Sequence, residues 1–441
     1  MMEEFVSVAL DAFTNANGDI DKFELYLRRN VMSMQVQAPT TSNTLPSTEQ
    51  LDMTPEMAEE LAQLDLDNMS DDDIIEYARK FGLSIQFMSD LTKLFKEMQF
   101  ANVQQEGMTY NGRVLLVDAL NTFVRSYAAI PTLNDNGNHV GGMTGFLRSI
   151  GSVIRDFKPT RVVVVFDGKG GSQRRRKIYP DYKSNRKPPT RLNRQYDMTT
   201  EQQEVENMKY QLVSLIEMLE CLPLTVFTMD NIEADDVIAY ASELITAQGG
   251  QSIIYSTDKD FLQMITDSVK VYSPIKKKTY DINTVVDEYG VHPNNFVFYR
   301  SLMGDKSDNI GGIKGAGEKT LLKYIPELSE SSVLIDTNFI AQKYQDVKKK
   351  PKLVETILEN EDVVERNLEL MQLRDVNIST DSKMKIVHKL DTVKADLRKM
   401  DLTKLMIRSK ILSNFPNYDI WLTTTFAPLT RFINGSDSSK S

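Results

Sequence analysis

The chain is poor in the residues that build disulfide frameworks and transition-metal centres. Among 441 residues there is one cysteine, Cys221, and there are three histidines, His139, His292 and His388. One thiol excludes an intrachain disulfide and a cysteine-based zinc site. Three scattered imidazoles exclude a dense histidine centre. His139 and His292 fall near loops and read as surface residues; the lone tryptophan, Trp421 in NYDIWL, reads as core. No apolar run approaches the roughly 18 residues of a membrane span. The acidic start, with Glu3 and Glu4, is unlike a signal peptide. These absences point to a soluble protein of a reducing cytoplasm with no membrane partner. At about 100–200 residues per domain, the length implies two or three structural units.

Charge is unevenly spread. Residues 1–107 hold 7 Lys/Arg against 20 Asp/Glu, whereas the remainder holds 45 against 42. The net charge of −10 therefore belongs to the first quarter, and an anionic ligand such as nucleic acid would bind the later part. Residues 1–107 read as an acidic helical extension. Phe5, Val8, Ala9, Ala12 and Phe13 repeat at helical spacing, as do Phe23, Tyr26 and Leu27. The Pro/Ser/Thr-rich segment 36–53 reads as a linker. Thr54-Pro55 and Ser70 open further helices, the latter with Asp71, Asp72 and Asp73 at the positive end of the helix dipole, and another covers Met88–Phe100.

The texture changes after Gly107. RVLLVD (113–118), RVVVVFDG (161–168), 224–227 and SIIYSTD (252–258) read as strands, separated by helices such as Gly142–Phe157 and Tyr210–Leu222. Strand–helix alternation implies an α/β fold with a mostly parallel sheet covered on both faces. From Val285 onward the pattern is mainly helical, and the tail 434–441 reads as disordered.

Ligands of such sheets bind at the carboxyl ends of the strands. Asp118, Asp167 and Asp258 sit at those ends, with Asp260 two residues on. NIEADD contributes Glu233, Asp235 and Asp236 at a helix start, and MGDKSDN contributes Asp305 and Asp308. Any one strand-end aspartate is as readily a turn or helix cap. Nine acids at matching ends would repel one another by several kcal/mol or take up protons. Divalent cations remove that conflict, and an all-oxygen donor set favours two Mg2+ or Mn2+ ions.

VLLVDALNTF, VVFDGKGGSQRRRKIYPDYKSNR, NIEADDVIAYAS, STDKDFLQMI and LMGDKSDNIGGIKGAGEKT occur in this order. Together they resemble the 5′ nuclease superfamily of flap endonucleases and 5′–3′ exonucleases, most of all the 5′ nucleases (ribonuclease H) of tailed phages. The resemblance covers roughly residues 110–330. It implies a PIN-like sheet, a helical arch over 170–200 and a helix–hairpin–helix, within a catalytic domain at 108–284 and a helical region at 285–433. It places the metal-binding carboxylates on all nine acids. Residues 1–107 have no counterpart in that pattern, and Met108 is a candidate internal start.

RRRKIYPDYKSNRKPPTRLNR (174–194) carries nine basic residues against one acid, Asp181. Arg174, Arg175, Arg176 and Lys177 read as phosphate contacts, with Tyr179 and Tyr182 able to stack on bases. The resemblance puts Lys183 and Arg186 beside the scissile phosphate as catalytic cations. Pro188 and Pro189 interrupt any continuous helix. Gly311, Gly312, Gly315 and Gly317, with Lys314, Lys319 and Lys323, read as a hairpin between helices at Phe296–Met303 and Glu318–Tyr324. Its backbone N–H groups would hold duplex phosphates, and in the family a K+ ion often assists.

The expected function is that of a structure-specific 5′ nuclease acting on branched or flapped DNA and RNA–DNA duplexes in replication or repair. The alternatives are a PIN-like ribonuclease and a non-catalytic junction-binding factor. Residues 1–107 are expected to dock a replication protein such as a single-strand binding protein, with an acidic DNA mimic or a role-free extension as alternatives. KKKPK (348–352) is a solvated run or a secondary DNA contact, and FAPLTRFI (426–433) a candidate sliding-clamp peptide.

Overall fold

The computed structural model describes Glu76, Arg79, Lys80, and residues 110–186, 200–330, 333–374, 378–392 and 396–432. The extension's helices and linker, residues 187–199 and the tail lie outside the described residues, except that Glu76, Arg79 and Lys80 are helical. By residue contacts the chain falls into two compact units, one of Met1–Met108 with Phe415–Pro428, the other of Thr109–Asn414 with Leu429–Ser441. Among the described residues, no helix is long and apolar enough to cross a membrane.

The larger unit is built on a six-stranded sheet: β1 (Arg113–Asp118), β2 (Arg161–Asp167), β3 (Thr225–Met229), β4 (Gln251–Tyr255), β5 (Val269–Ser273) and β6 (Lys278–Tyr280), in the order β3-β2-β1-β4-β5-β6. All pairs are parallel except β5–β6. The branched runs of β1 and β2 are buried on both faces, because alternate residues meet different helix layers. Helices α1 (Ala119–Ala129) and α2 (Gly141–Phe157) pack on each other, with α1 against β2. Later come α3 (Gln173–Ile178), α4 (Glu201–Leu219) and α5 (Ala234–Ala247); Val237, Ile238 and Ala241 of α5 share a core with Val114 and Leu116. Helix α4 starts nine residues before the expected Tyr210. Thr200 Oγ1 accepts from Gln203 N (3.2 Å) and Gln203 Oε1 from Thr200 N (3.3 Å), a reciprocal cap that fixes the start.

The helical part continues with α6 (Ile282–Tyr289), α7 (Pro293–Met303), α8 (Glu318–Tyr324), α9 (Thr337–Lys343), α10 (Lys352–Glu359), α11 (Glu361–Met371), α12 (Thr380–Asp391) and α13 (Lys399–Arg408). Its Val285, Phe296, Ile357 and Leu390 belong to the core that holds the sheet residues. The boundary expected at residue 285 is therefore no division between compact units. Arg161, buried at the start of β2, ties this part to the sheet by donating to Thr225 Oγ1 and to the carbonyls of Lys389, Leu390 and Thr392, which end α12. In the other unit α14 (Tyr418–Thr425) carries half-buried Trp421, stacked among Phe415, Tyr418 and Phe426.

Two expectations are corrected here. His139 and His292 are buried, not surface residues: His139 Nε2 lies 3.1 Å from the Tyr127 carbonyl, and His292 caps α7 by accepting from Asn294 N. In the candidate sliding-clamp peptide Phe426 and Leu429 are buried, Phe432 is half-buried and Ile433 lies outside the described residues.

Candidate active site

The sheet's carboxyl edge gathers acids from adjacent strands, which lie about 4.8 Å apart. Asp118 ends β1; its Oδ1 accepts from Asn121 N (3.2 Å) and its Oδ2 from Ser256 Oγ (2.8 Å). Asp167 ends β2 and accepts from Ala234 N (2.9 Å), the first residue of α5. β4 stops at Tyr255, three residues sooner than expected, because Ser256 Oγ accepts from Asp258 N and Asp258 Oδ1 from Asp260 N (2.8 Å). These side-chain bonds turn the chain into a 3-10 helix at Lys259–Met264. Glu233 is the N-cap of α5, and Asp235 and Asp236 lie in its first turn.

Crowding leaves four of these acids strained. Burial pushes the Asp118 carboxyl up to about 7 against the opposing Ser256 bond, with Asp167 and Asp258 adding to the rise. Burial, then Asp258, raises Asp260 to about 7 despite Arg300. Asp235 is raised well above the carboxylate range by burial and by Asp118 and Asp258, and Asp258 by burial and the nearby Asp308. Among the described residues, no three His, Cys, Asp or Glu side chains already stand as an ion cage. The donor chemistry nevertheless fits Mg2+ or Mn2+: crowded, partly buried, mutually repelling all-oxygen carboxylates gain most from a hard cation.

Glu233, Asp308 and Asp305 are held by cations. Glu233 accepts from Arg175 Nη1 (2.5 Å), Lys183 Nζ (2.6 Å) and Tyr182 Oη (3.1 Å). Burial alone would raise its pKa, but Arg175 and Lys183 outweigh burial and hold it low. Asp308 takes Arg186 Nη2 (2.5 Å) and Tyr182 Oη (3.2 Å). Arg300, on α7, donates Nε to Asp260 Oδ1 (2.9 Å) and Nη2 to Asp305 Oδ2.

Two site expectations are corrected. Arg175 is 3% exposed and turned inward onto Glu233, Asp236 and the Leu370 carbonyl, so it makes no phosphate contact. Tyr182, also 3% exposed, has both its ring and its hydroxyl engaged, and it offers no face to a base. Asp236 has both oxygens on Arg175 and so fastens the arch as well. Arg176 and Lys177 are exposed, and half-exposed Arg174 lies 3.6 Å from Asp236. Lys183 sits in the left-handed region (φ 57°), with its N–H on the Asp308 carbonyl. Asn309 Nδ2 bonds Asp181 O and Ser184 Oγ, both at 3.0 Å. The base of the arch is thus fastened to the loop carrying Asp305 and Asp308.

That loop leads into the hairpin between α7 and α8. Asp305 and Ile310 exchange both backbone bonds (2.8 and 2.7 Å). Glycine is required at Gly315 (φ 89°) and Gly312, where a Cβ would meet the Met303 carbonyl at 2.3 Å. Gly311 has open space and Gly317 nearly so; neither needs to be glycine for steric reasons. Gly304 (φ 74°, against Gly312 N) does, and the motif reading passed it over. Lys314, Lys319 and Lys323 are exposed. Sequence reasoning also missed Ser256 and Arg300. Ser256 lay two residues before Asp258 in STDKD, and Arg300 five before Asp305, within reach across a helix end.

Residues 113–290 match the family model of the 5′-3′ exonuclease N-terminal resolvase-like domain. The 5′-3′ exonuclease of Aquifex aeolicus is 34% identical over 212 residues, covering 48% of this chain and 68% of the relative. That of Bacillus subtilis is 32% identical over 248 residues, covering 54% and 78%. DNA polymerase I of Bacillus subtilis is 30% identical over 236 residues; the match takes in 52% of this chain and 25% of the polymerase. A solved bacteriophage T5 flap endonuclease with DNA and metal ions is similar at 22% identity and a TM-score of 0.48, over 68% of this chain and 99% of that one.

Proposed function

This chain belongs to the 5′–3′ exonuclease family, and we propose that it is a metal-dependent, structure-specific 5′ nuclease. It hydrolyses phosphodiesters where duplex meets a 5′ single strand, as exonuclease and flap endonuclease, and removes primers and flaps in replication or repair. The observation that carries this reading is the crowded group of buried Asp118 and half-buried Asp235, Asp258 and Asp260, all raised in pKa at one sheet edge. With Asp167, Glu233, Asp305 and Asp308 they would hold two Mg2+ or Mn2+ ions. Such ions, when bound, would activate water and neutralise charge on the phosphate.

The chain's own residues do the rest. Lys183 and Arg186, kept beside the acids by Glu233 and Asp308, place positive charge at the reacting phosphate. Arg174, Arg176 and Lys177 line the approach to them. Backbone N–H groups of the 311–317 hairpin, with Lys314 and Lys319, hold duplex phosphates, and a K+ ion would assist there. Hydrolysis forms a bond from the water oxygen to phosphorus and breaks the bond to the 3′ oxygen, leaving a 5′-phosphate. DNA flaps and RNA–DNA duplexes are the substrates, the cytoplasm (the host's, if the chain is phage-encoded) is the site of action, and residues 1–107 dock a replication protein.

The test is a 5′-labelled DNA flap incubated in magnesium, in manganese and in EDTA. Cleavage near the junction in either metal, absent in EDTA, is expected. Cleavage of structured RNA alone would favour a PIN-like ribonuclease, and binding without cleavage a junction-binding factor.

A further inference from the structure

The sheet edge bears a second basic wall, remote from the arch. β5 runs parallel to β4, with Tyr272 beside Tyr255, and Ser256 N–H donates to the Tyr272 carbonyl at 3.3 Å. β5 therefore ends on the same edge as Asp258, and the turn that follows, residues 274–277, stands over that edge. It carries Lys276 and Lys277, with Lys278 starting β6, while Lys259 is exposed next to Asp258. Between them opens a cavity of about 40 Å³, lined by Ser256, Thr257, Asp258, Lys259, Lys276 and Tyr289.

Glu288 organises this cluster. It accepts from Lys276 Nζ (2.5 Å), Lys278 Nζ (2.8 Å) and Tyr280 Oη (3.0 Å), fixing two of the lysines. The Tyr289 ring centroid lies 5.7 Å from Lys259 Nζ and 5.9 Å from Lys276 Nζ. Four lysines against Glu288 and Asp258 leave a positive excess. At about 10–15 Å³ per water-sized group, the cleft has room for the oxygens of a phosphate. The strand order puts the arch, which follows β2 and grips the acids after β3, at one end of the carboxylate row and this turn at the other.

We propose that Lys259 and the β5–β6 turn bind the sugar–phosphate backbone of the nucleic acid on the side of the scissile phosphate away from the arch. The inference rests on the nuclease reading and deepens it: the substrate strand spans the acids between two basic walls.

The test is fluorescent flap DNA titrated with the full chain in calcium across a salt series, comparing wild type with Lys259→Gln/Lys277→Gln. Lys276 and Lys278 are kept because Glu288 pins them. The double variant should bind several-fold more weakly, and the slope of log affinity on log salt should shrink by about one to two. The deficit should be the same for short and long 5′ tails, and Lys259→Arg/Lys277→Arg should restore binding at an unchanged melting temperature. Unchanged affinity and slope would overturn the inference, as would a deficit that grows with tail length, which belongs to the arch side. Failure of the wild type to bind or cut any flap would instead overturn the nuclease reading.

Discussion

Arg175 meets Asp236 with two parallel hydrogen bonds, Nη1 to Oδ2 and Nη2 to Oδ1, both at 2.8 Å, while the same Nη1 reaches Glu233. One guanidinium thereby bridges two carboxylates that are 2% and 3% exposed, and Lys183 supplies the second positive charge at Glu233. Removing it takes both paired bonds from buried Asp236 and leaves Glu233 with Lys183 and Tyr182 alone. Arg175→Ala should cost about 3–5 kcal/mol of stability. Arg175→Lys should recover little, because a point charge cannot make the paired bonds. Urea unfolding midpoints check this, and a shift within error for Arg175→Ala would contradict it.

Arg300 links the sheet to the hairpin through Asp260 and Asp305. Arg300→Gln leaves both acids without their shared donor and should lower cleavage roughly 10–100-fold, as loss of groups that orient metal ligands does. Flap cleavage rates over a magnesium titration, with the melting temperature as fold control, read this out. A rate equal to wild type at every magnesium concentration would contradict it.

Acidity should act on the metal-free protein in an unusual direction. Asp118 and Asp260 are raised to about 7 and Asp235 and Asp258 are also raised, against about 3.9 for an unfolded aspartate. Between about pH 4 and 7 the folded state therefore binds more protons than the unfolded state, and stability falls as pH rises. Glu233 and Asp305, whose pKa values are lowered, lose their contribution only below that window. In EDTA the melting temperature should drop from pH 5 to pH 7.5, and magnesium should restore more of it at pH 7.5. A metal-free melting temperature that rises across the window would contradict this.

The hairpin glycines should separate sharply. Gly312→Ala drives a Cβ into the Met303 carbonyl and should destabilise the hairpin, whereas Gly311→Ala meets nothing within 4 Å. The latter should be neutral or stabilising by about 0.4–1 kcal/mol through the unfolded state. Melting temperatures of the two variants decide, and equal losses would contradict the distinction.

The strands and the acids were readable because their signals are local. RVLLVD and RVVVVFD are buried runs ending on an aspartate, and β1 and β2 follow them closely. The short β5 and β6 escaped notice because VKVYS and KTY are too brief and too polar to stand out. Which acids face one another and which are neutralised was not legible. Arg175 looked like its neighbours Arg174 and Arg176 in a basic run; only the packing of α3 against α11 turns it inward. Tyr182 was hidden in the same way, since burial of a tyrosine between Glu233 and Asp308 depends on residues 51 and 126 positions away.

The most direct test of the central claim is single-turnover cleavage of a 5′-labelled flap in magnesium by wild type, Asp235→Asn and Asp258→Asn, with flap binding measured in parallel. Both acids are pushed towards the neutral form by their surroundings, so each amide should fold at least as stably as wild type. The account predicts cutting near the junction by wild type and loss of cleavage by orders of magnitude in both variants, with binding retained. Variants that cut at the wild-type rate, or a wild type that binds without cutting, would contradict it.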